Sequence, residues 1–301
     1  MDGLLIIDKP AGITSHDVVA RVRRILKTKR VGHTGTLDPF ATGTMVILVG
    51  KATRLAQFLD KDEKEYEAVV QFGSETDTGD LTGTRTAGCG LDDEEIAAKL
   101  GKTDWEAILG EFRGEITQTP PMYSAKKVEG RKLYELARKG IEIERKSLIV
   151  YIHKLEILAP TSRIPPTSLR IRVACSAGTY IRTLADDIGR KLGLGAHLIE
   201  LRRTRAGRFR IDQAVTLGQL QAAQSPSDHL RQIDEAVEHL PEFVLREDRV
   251  AKTLNGMSTR DLSGAFTAGE QIRMTAPQGE LIAIGYYDDD EKVVQPKVVL
   301  G

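Results

Sequence analysis

Apolar positions along the chain recur in two registers, one with the 3.6-residue period of a helix and one with the two-residue alternation of a strand. Behind Ser15, which reads as an N-cap, Val18, Val19, Val22, Ile25 and Leu26 form a stripe that predicts a helix running to Lys27. The run TMVILVG (44–50) is short, unbroken and β-branched, so it predicts a buried strand, and EYEAVVQFG (65–73) has strand composition as well. KATRLAQFL between them predicts a short helix, and the polar SETDTGDLTGT predicts a turn-rich loop. Residues 91–113 read as helical, with Thr103 and Glu106 spaced as a capping box. Two β-branched strands are predicted at 147–159 and 168–176, joined by a turn at Pro165 and Pro166. In GTYIRTLADDIGRKLG a strand end turns into a helix with Ile181, Leu184, Ile188 and Leu192 on one side.

Two segments break this rhythm. Residues 117–146 open on a Pro-Pro turn and carry eight basic against four acidic residues around a helix predicted at Lys132–Lys139. That helix is too short to bury much by itself, so the segment reads as a protruding basic insertion, a helical thumb. From about Val244 short strand candidates, QIRMTA and LIAIGYY, alternate with glycine turns, which predicts a small all-β module behind a helix-rich linker at about 212–240. The fold class expected is α+β: a mixed, largely antiparallel central sheet with flanking helices and the thumb over residues 1–240, then a β-rich unit over 241–301.

Composition refines this only at certain points. The 301 residues suffice for one large domain or a large and a small one. The longest apolar runs, such as Met45–Val49, are too short to span a bilayer, and MDGLLIIDKPAG lacks the basic start and long apolar core of a secretory signal. Cys89 and Cys175 form no CxxC motif and read as thiols in a reducing cytoplasm. Net charge is zero, but residues 1–210 hold 35 basic and 28 acidic side chains, whereas 211–301 hold 8 and 15. RVRRILKTKR (21–30) has six basic residues and RRTRAGRFR (202–210) five, neither with an acid; two such runs in one half suit a polyanion such as RNA.

The candidate chemistry centres on GHTGTLDPFATG (32–43), where a lone carboxylate, Asp38, sits among glycines, threonines and a proline. GxxxxGK[ST] and a strand-following GxGxxG are absent, no GxSxG elbow occurs, and the six histidines are scattered. A glycosidase-type pair of carboxylates is not supplied by the loop. On the residues alone, Asp38 is either an Asx-turn former ahead of Pro39 or an aspartate acting singly, as a nucleophile kept ionised by a cation.

GLLIIDKPAGITSHDVV, VGHTGTLDPFATG, KEYEAVVQFGSETDTGD, PPMYSAKKVEGRKLYELARKG and GTYIRTLADDIG occur in this order, and with them the chain resembles the TruB family of bacterial tRNA pseudouridine-55 synthases. The match is dense from residue 3 to about 210, with Phe40 and Phe72 standing where the family more often has leucine. The resemblance implies isomerisation of uridine 55 in the tRNA T loop by base flipping, with no cofactor and no metal. It places the nucleophile on Asp38, its pairing arginine on Arg182 and the active-site tyrosine on Tyr66. It also implies that His33 takes the place of the flipped base, that Tyr180 and Leu201 line the uracil pocket, and that Asp80 belongs to the pocket's hydrogen-bond network. By the same resemblance 117–146 closes over the T loop, RRTRAGRFR lies along the RNA backbone, and 241–301 is a PUA-like RNA-binding domain whose acidic balance weakens a large phosphate contact. The partner implied is the tRNA T stem-loop, with no membrane and no obligate protein partner; a cytoplasmic monomer is expected. Two alternatives stand beside this: a synthase acting on another RNA, and an RNA-folding chaperone whose pocket is vestigial.

Overall fold

Two apolar strands become buried on both faces because each lies between two layers. β1 (Gly3–Lys9) and β3 (Thr42–Val49) pair antiparallel, Leu5 opposite Ile47. Leu5, Ile7, Met45 and Ile47 face one core, while Leu4, Ile6, Val46 and Leu48 face another. This double burial is why their sequences read as continuous apolar runs without alternation. The computed structural model describes residues 1–301 apart from 60–61, 125–126, 129–130, 138–139, 142, 160, 162–163 and 262.

The central sheet also contains β2 (Val31–Thr34), β4 (Lys64–Phe72), β5 (Gly114–Gln118), β6 (Leu148–Ile157), β7 (Ser168–Cys175), β8 (Ala196–Ala206) and β9 (Val215–Thr216). Its order is β9-β1-β3-β8-β4-β7-β6-β5, with β2 added on β3. The β9–β1 and β3–β8 pairs are parallel and the others antiparallel, as the mixed α+β expectation required. The eleven-residue β8 is the centre of the sheet, and neither it nor β1 was anticipated from the pattern of apolar positions. Arginines at three of its positions disguise its alternation.

One face of the sheet is covered by α1 (Ser15–Ile25), α2 (Asp93–Gly101), α3 (Trp105–Gly110) and α4 (Ile181–Lys191). α1 begins one residue earlier than its apolar stripe suggests. Thr14 is the N-cap, accepting from the Asp17 amide at 3.1 Å while Asp17 accepts from the Thr14 amide at 2.8 Å. Ser15 is buried and serves another loop. The predicted helix over 91–113 is two helices. Asp92 and Glu95 form the capping box of α2, and Asp104 caps α3 through the Ala107 amide at 3.1 Å. Thr103 donates back to the Lys99 carbonyl at 2.9 Å, so the proposed Thr103–Glu106 box does not exist; Asp104, one residue on and a stronger N-cap type than threonine, takes the cap.

The basic insertion holds a short hairpin, Lys127–Val128 with Arg131–Lys132, and a helical turn, Leu133–Ala137; positions 138–139 of the predicted helix lie outside the described residues. The stretch expected to be a helix-rich linker holds one short α-helix, α5 (Leu217–Ala222), and isolated 3₁₀ turns. Beyond it β10 (Glu242–Val244), β11 (Thr259–Arg260), β12 (Gln271–Thr275), β13 (Leu281–Asp288) and β14 (Val293–Val299) form a second sheet, ordered β10-β12-β13-β14-β11. Ile284, Val298 and Leu300 of this unit share a core with Leu4, Ile6, Leu48 and Phe209, so it is docked on the central sheet's second face. No helix among the described residues is long and apolar enough to cross a membrane.

Candidate functional site

The loop from β2 to β3 carries Asp38, and its backbone is tied from three sides. Ser15 Oγ accepts from the Leu37 amide at 2.9 Å and donates to the Leu37 carbonyl at 3.1 Å. Lys9 is fully buried, and its Nζ donates to the carbonyls of Pro39 at 3.2 Å, Ala41 at 2.6 Å and Pro10 at 3.0 Å. Arg203, also buried, donates from Nε to the Thr44 carbonyl at 2.7 Å and from Nη2 to the Gly35 carbonyl at 3.1 Å. A glycine-rich segment that looks pliant in sequence is therefore held by two buried cations that donate to its carbonyls. Gly35, at φ +70, makes the turn that presents those carbonyls.

The Asp38 carboxylate is not spent on its own turn. Arg182, the second residue of α4, meets it edge-on: Nε lies 2.9 Å from Oδ2 and Nη2 3.1 Å from Oδ1. The guanidinium is itself fixed by donating to the carbonyls of Thr78 at 2.6 Å and Tyr123 at 2.7 Å, and Asp80 Oδ2 stands 3.8 Å from Nη1. Asp80 is buried and locally satisfied by the Thr82 amide at 2.9 Å and the Thr78 and Thr82 hydroxyls. Burial pushes the Asp38 carboxyl above its ordinary value, and nearby Asp80 adds to that push. Arg182 opposes it but is outweighed. The arginine pulls this pKa down as expected of a paired cation, and desolvation is the larger effect.

Asp38 and Arg182 separate two cavities. One, of about 240 Å³, is lined by Asp38, Tyr66, Tyr180, Arg182, Leu201 and Arg203 among others. The other, of about 530 Å³, lies on the Asp80 side and includes His16, Phe40, Thr78, Asp80 and Tyr123. Strand register explains the first. Tyr66 of β4 lies between Val173 of β7 and Arg203 of β8, and Leu201 pairs with Ala68 one pleat further on the same face. Burial raises the Tyr66 phenol above its ordinary value, with Arg203 opposing. Tyr180, the residue before α4, is held through its backbone by buried Gln118, which accepts from its amide at 3.0 Å and donates to its carbonyl at 3.2 Å.

Asp38, Tyr66, Tyr180, Arg182 and Leu201 thus converge on one cavity, and Asp80 reaches it through Arg182. His33 stands apart from the lining of both cavities. Its ring meets that of His16 edge-on with centroids 5.8 Å apart, and burial pushes its imidazole down to about 4, which leaves a neutral ring at neutral pH. Lys9, Arg203, Gln118 and His16 were not singled out in the sequence. Lys9 and Arg203 carried a signal there, a lysine ending an apolar strand and an arginine in a basic run, but only burial tells a clamp from a surface cation.

RRTRAGRFR, the run expected along RNA, has its arginines met within the fold. Arg202 pairs with Asp8 at 2.7 Å, Arg205 with Glu63 at 3.5 Å, Arg208 with Glu238 at 2.6 Å and Arg210 with Asp212 at 3.8 Å, while Arg203 is the buried clamp. The run is the end of β8 and its turn, and most of its charges meet acids distant in sequence. Cys175 is buried, which pushes its thiol up to about 11, and Cys89 is half-buried. Among the described residues no group of three or more His, Cys, Asp or Glu side chains is placed to hold a metal.

Known proteins resemble the chain in sequence and in fold. Residues 23–181 match the N-terminal domain model of TruB family pseudouridylate synthases, and 182–244 match the tRNA pseudouridylate synthase B C-terminal domain. The chain is 43% identical to the tRNA pseudouridine synthase B of Solibacter usitatus over 95% of both chains. It is 39% identical to that of Bacillus subtilis over its whole length and 98% of the relative. Among solved structures, a chain of a Cbf5-Nop10-Gar1 complex is similar at 27% identity and a TM-score of 0.73, covering 99% of this chain and 85% of that one.

Proposed function

Because the chain belongs to the TruB family of pseudouridylate synthases, we propose that it converts uridine 55 in the T loop of tRNA to pseudouridine, with Asp38 as nucleophile and no cofactor. The observation that carries this reading is the Asp38 carboxylate, presented to the smaller cavity by Arg182 and faced there by Tyr66, Tyr180 and Leu201.

The uridine is extruded from the loop at a cost of about a few kcal/mol. Its base lies between the Tyr66 ring and the apolar side of Leu201 and Tyr180. Asp38 engages the nucleoside, the N1–C1′ bond breaks, the uracil turns in the closed cavity, and C5 joins C1′. The C5 proton leaves and N1 takes one up, so no atom is gained or lost. Arg182 keeps the carboxylate aimed throughout, and Asp80 with its two threonines keeps Arg182 aimed. The neutral ring of His33 fills the gap left in the RNA stack. The basic insertion covers the loop, and the C-terminal β unit, with its acidic balance, contributes a minor RNA contact. The enzyme works as a cytoplasmic monomer.

The reading is tested by incubating purified protein with unmodified tRNA transcript, without additives, and mapping the isomer by chemical and mass methods. Product at position 55, absent with Asp38→Asn while RNA is still bound, is the expected result. Product on ribosomal RNA fragments but not on the T stem-loop would instead assign another RNA substrate. RNA refolding that Asp38→Asn leaves intact, with no product from either protein, would leave only a chaperone.

A further inference from the structure

The two basic runs of the chain have opposite fates in the fold. In 202–210 the arginines meet acids or carbonyls. In 21–30, Arg21, Arg24, Lys27 and Lys29 are exposed, and among the described residues none of them makes an ion pair or a side-chain hydrogen bond. The other two are anchored, Arg23 to the Val31 carbonyl at 2.8 Å and Arg30 to the Thr53 hydroxyl at 3.1 Å. Asp17, one turn before Arg21 on the same helix, has its carboxylate hydrogen-bonded to the amide and hydroxyl of Thr14 and meets Arg21 only through a longer-range attraction, with no ion pair or hydrogen bond between them among the described residues.

Arg21 and Arg24 are three residues apart and share one face of α1, and Lys27 follows at the next such step. The buried Val18, Val19 and Val22 occupy the opposite face. Cations at a helix C-terminus favour the macrodipole, which would account for Arg24 alone. Arg21 lies well inside the helix, however, and Lys27 and Lys29 lie beyond its end. Position matters as much as charge. His16 at the start of α1 lines the larger cavity and touches His33 of β2, so α1 leads away from the site, and its eleven residues extend about 16 Å.

We infer that the exposed face of α1 and the turn after it, Arg21, Arg24, Lys27 and Lys29, form the docking surface for the sugar–phosphate backbone of the RNA stem that carries the target loop. This rests on the RNA-modifying reading above and adds to it where the stem runs. Cations without hydrogen-bonded protein partners, spaced along one helix face, exchange bound water and counterions for phosphates without breaking any internal pairing. The arginines of 202–210 would have to abandon Asp8, Glu63, Glu238 or Asp212 to do so.

The test compares the wild type with a variant carrying Arg21→Gln, Arg24→Gln, Lys27→Gln and Lys29→Gln. Fluorescence anisotropy follows binding of unmodified T stem-loop RNA, and of a plain RNA duplex of the stem's length, across a salt series. The four substitutions should reduce the slope of log affinity against log salt by about 2 to 4, at roughly 0.7–0.9 for each phosphate no longer neutralised, for both RNAs. The pair Arg208→Gln and Arg210→Gln should leave the slope unchanged. Equal melting temperatures, expected because the four side chains are exposed, keep the comparison to binding. An unchanged slope in the fourfold variant, an equal reduction from the Arg208/Arg210 pair, or a reduction confined to the looped RNA would overturn the inference. None of these readings needs product, so failure of pseudouridine formation would strike the proposed reaction and not this surface.

Discussion

Arg182 grips Asp38 with two donors at once, Nε on Oδ2 at 2.9 Å and Nη2 on Oδ1 at 3.1 Å, while two backbone carbonyls hold the same guanidinium from behind. A lysine ammonium is a point donor and cannot span both carboxylate oxygens and both carbonyls. Arg182→Lys should therefore lower the single-turnover rate by about 100-fold or more, the range for removing a preorganised electrostatic partner. Binding of the stem-loop should change little. Wild-type turnover in this variant would mean the grip is not what aims the carboxylate.

Burial raises the Asp38 carboxyl above its ordinary value of 3.8, and the proposed reaction uses the ionised form. Turnover should accordingly fall as pH is lowered, along a limb lying above the ordinary carboxylate range. The same shift affects stability in the opposite sense. A raised folded-state value means the native protein binds the proton more tightly than the unfolded chain does. Its stabilising contribution is complete below 3.8 and is lost as pH rises through the folded-state value. Melting temperatures of wild type should then decline relative to Asp38→Asn across that window, and curves that stay parallel would show that no such shift exists.

The sequence exposed the site more fully than the sheet around it. Asp38, Tyr66, Tyr180 and Arg182 lie in motifs that carry the family resemblance, Leu201 follows from the same resemblance beyond them, and a motif preserves residue spacing whatever the strand order. The centre of the sheet was hidden for a physical reason. β8 carries Arg202, Arg203 and Arg205 among its pairing residues, and each cation is answered by a partner far away in sequence. A basic run and a strand whose charges are answered across the fold look alike in one dimension. The helical region 91–113 failed similarly, since choosing Asp104 over Thr103 as a cap depends on a break whose position the apolar period does not mark.

Lys9 Nζ gives its three protons to three carbonyls of the Asp38 loop and its flank. Burial pulls its pKa down to about 8, with Asp38 acting the other way. A neutral amine has only two N–H donors, so above about pH 8 one carbonyl is left without its partner and the loop slackens. Turnover should decline on that alkaline side. Lys9→Met, which keeps the volume and removes every donor, should turn over about 10-fold or more slowly at neutral pH, as expected when the reacting group is allowed to drift from its aim. Its profile should lack this limb. A limb of equal height in Lys9→Met would assign the alkaline titration to another group, such as the RNA itself.

Gly43 lies in β3 opposite Arg203 of the parallel strand β8, and its φ is +107. A Cβ there would sit 2.2 Å from the Arg203 carbonyl oxygen and 2.7 Å from its amide nitrogen, both backbone atoms that cannot swing aside. Gly43→Ala must force β3 and β8 apart, moving Arg203 off the Gly35 and Thr44 carbonyls and Leu201 out of the cavity wall. The expected cost is about 3–5 kcal/mol in urea unfolding, in the range of overpacking combined with backbone strain. Gly256 has a φ of +82 with open space where a Cβ would go, so Gly256→Ala carries only the left-handed strain, about 1–2 kcal/mol. If the two alanine variants are destabilised equally, the close approach of the strands is not what demands glycine at position 43. If Gly43→Ala alone is strongly destabilised and also slow at temperatures where it remains folded, then strand packing and the aim of the Asp38 loop are set by the same close approach.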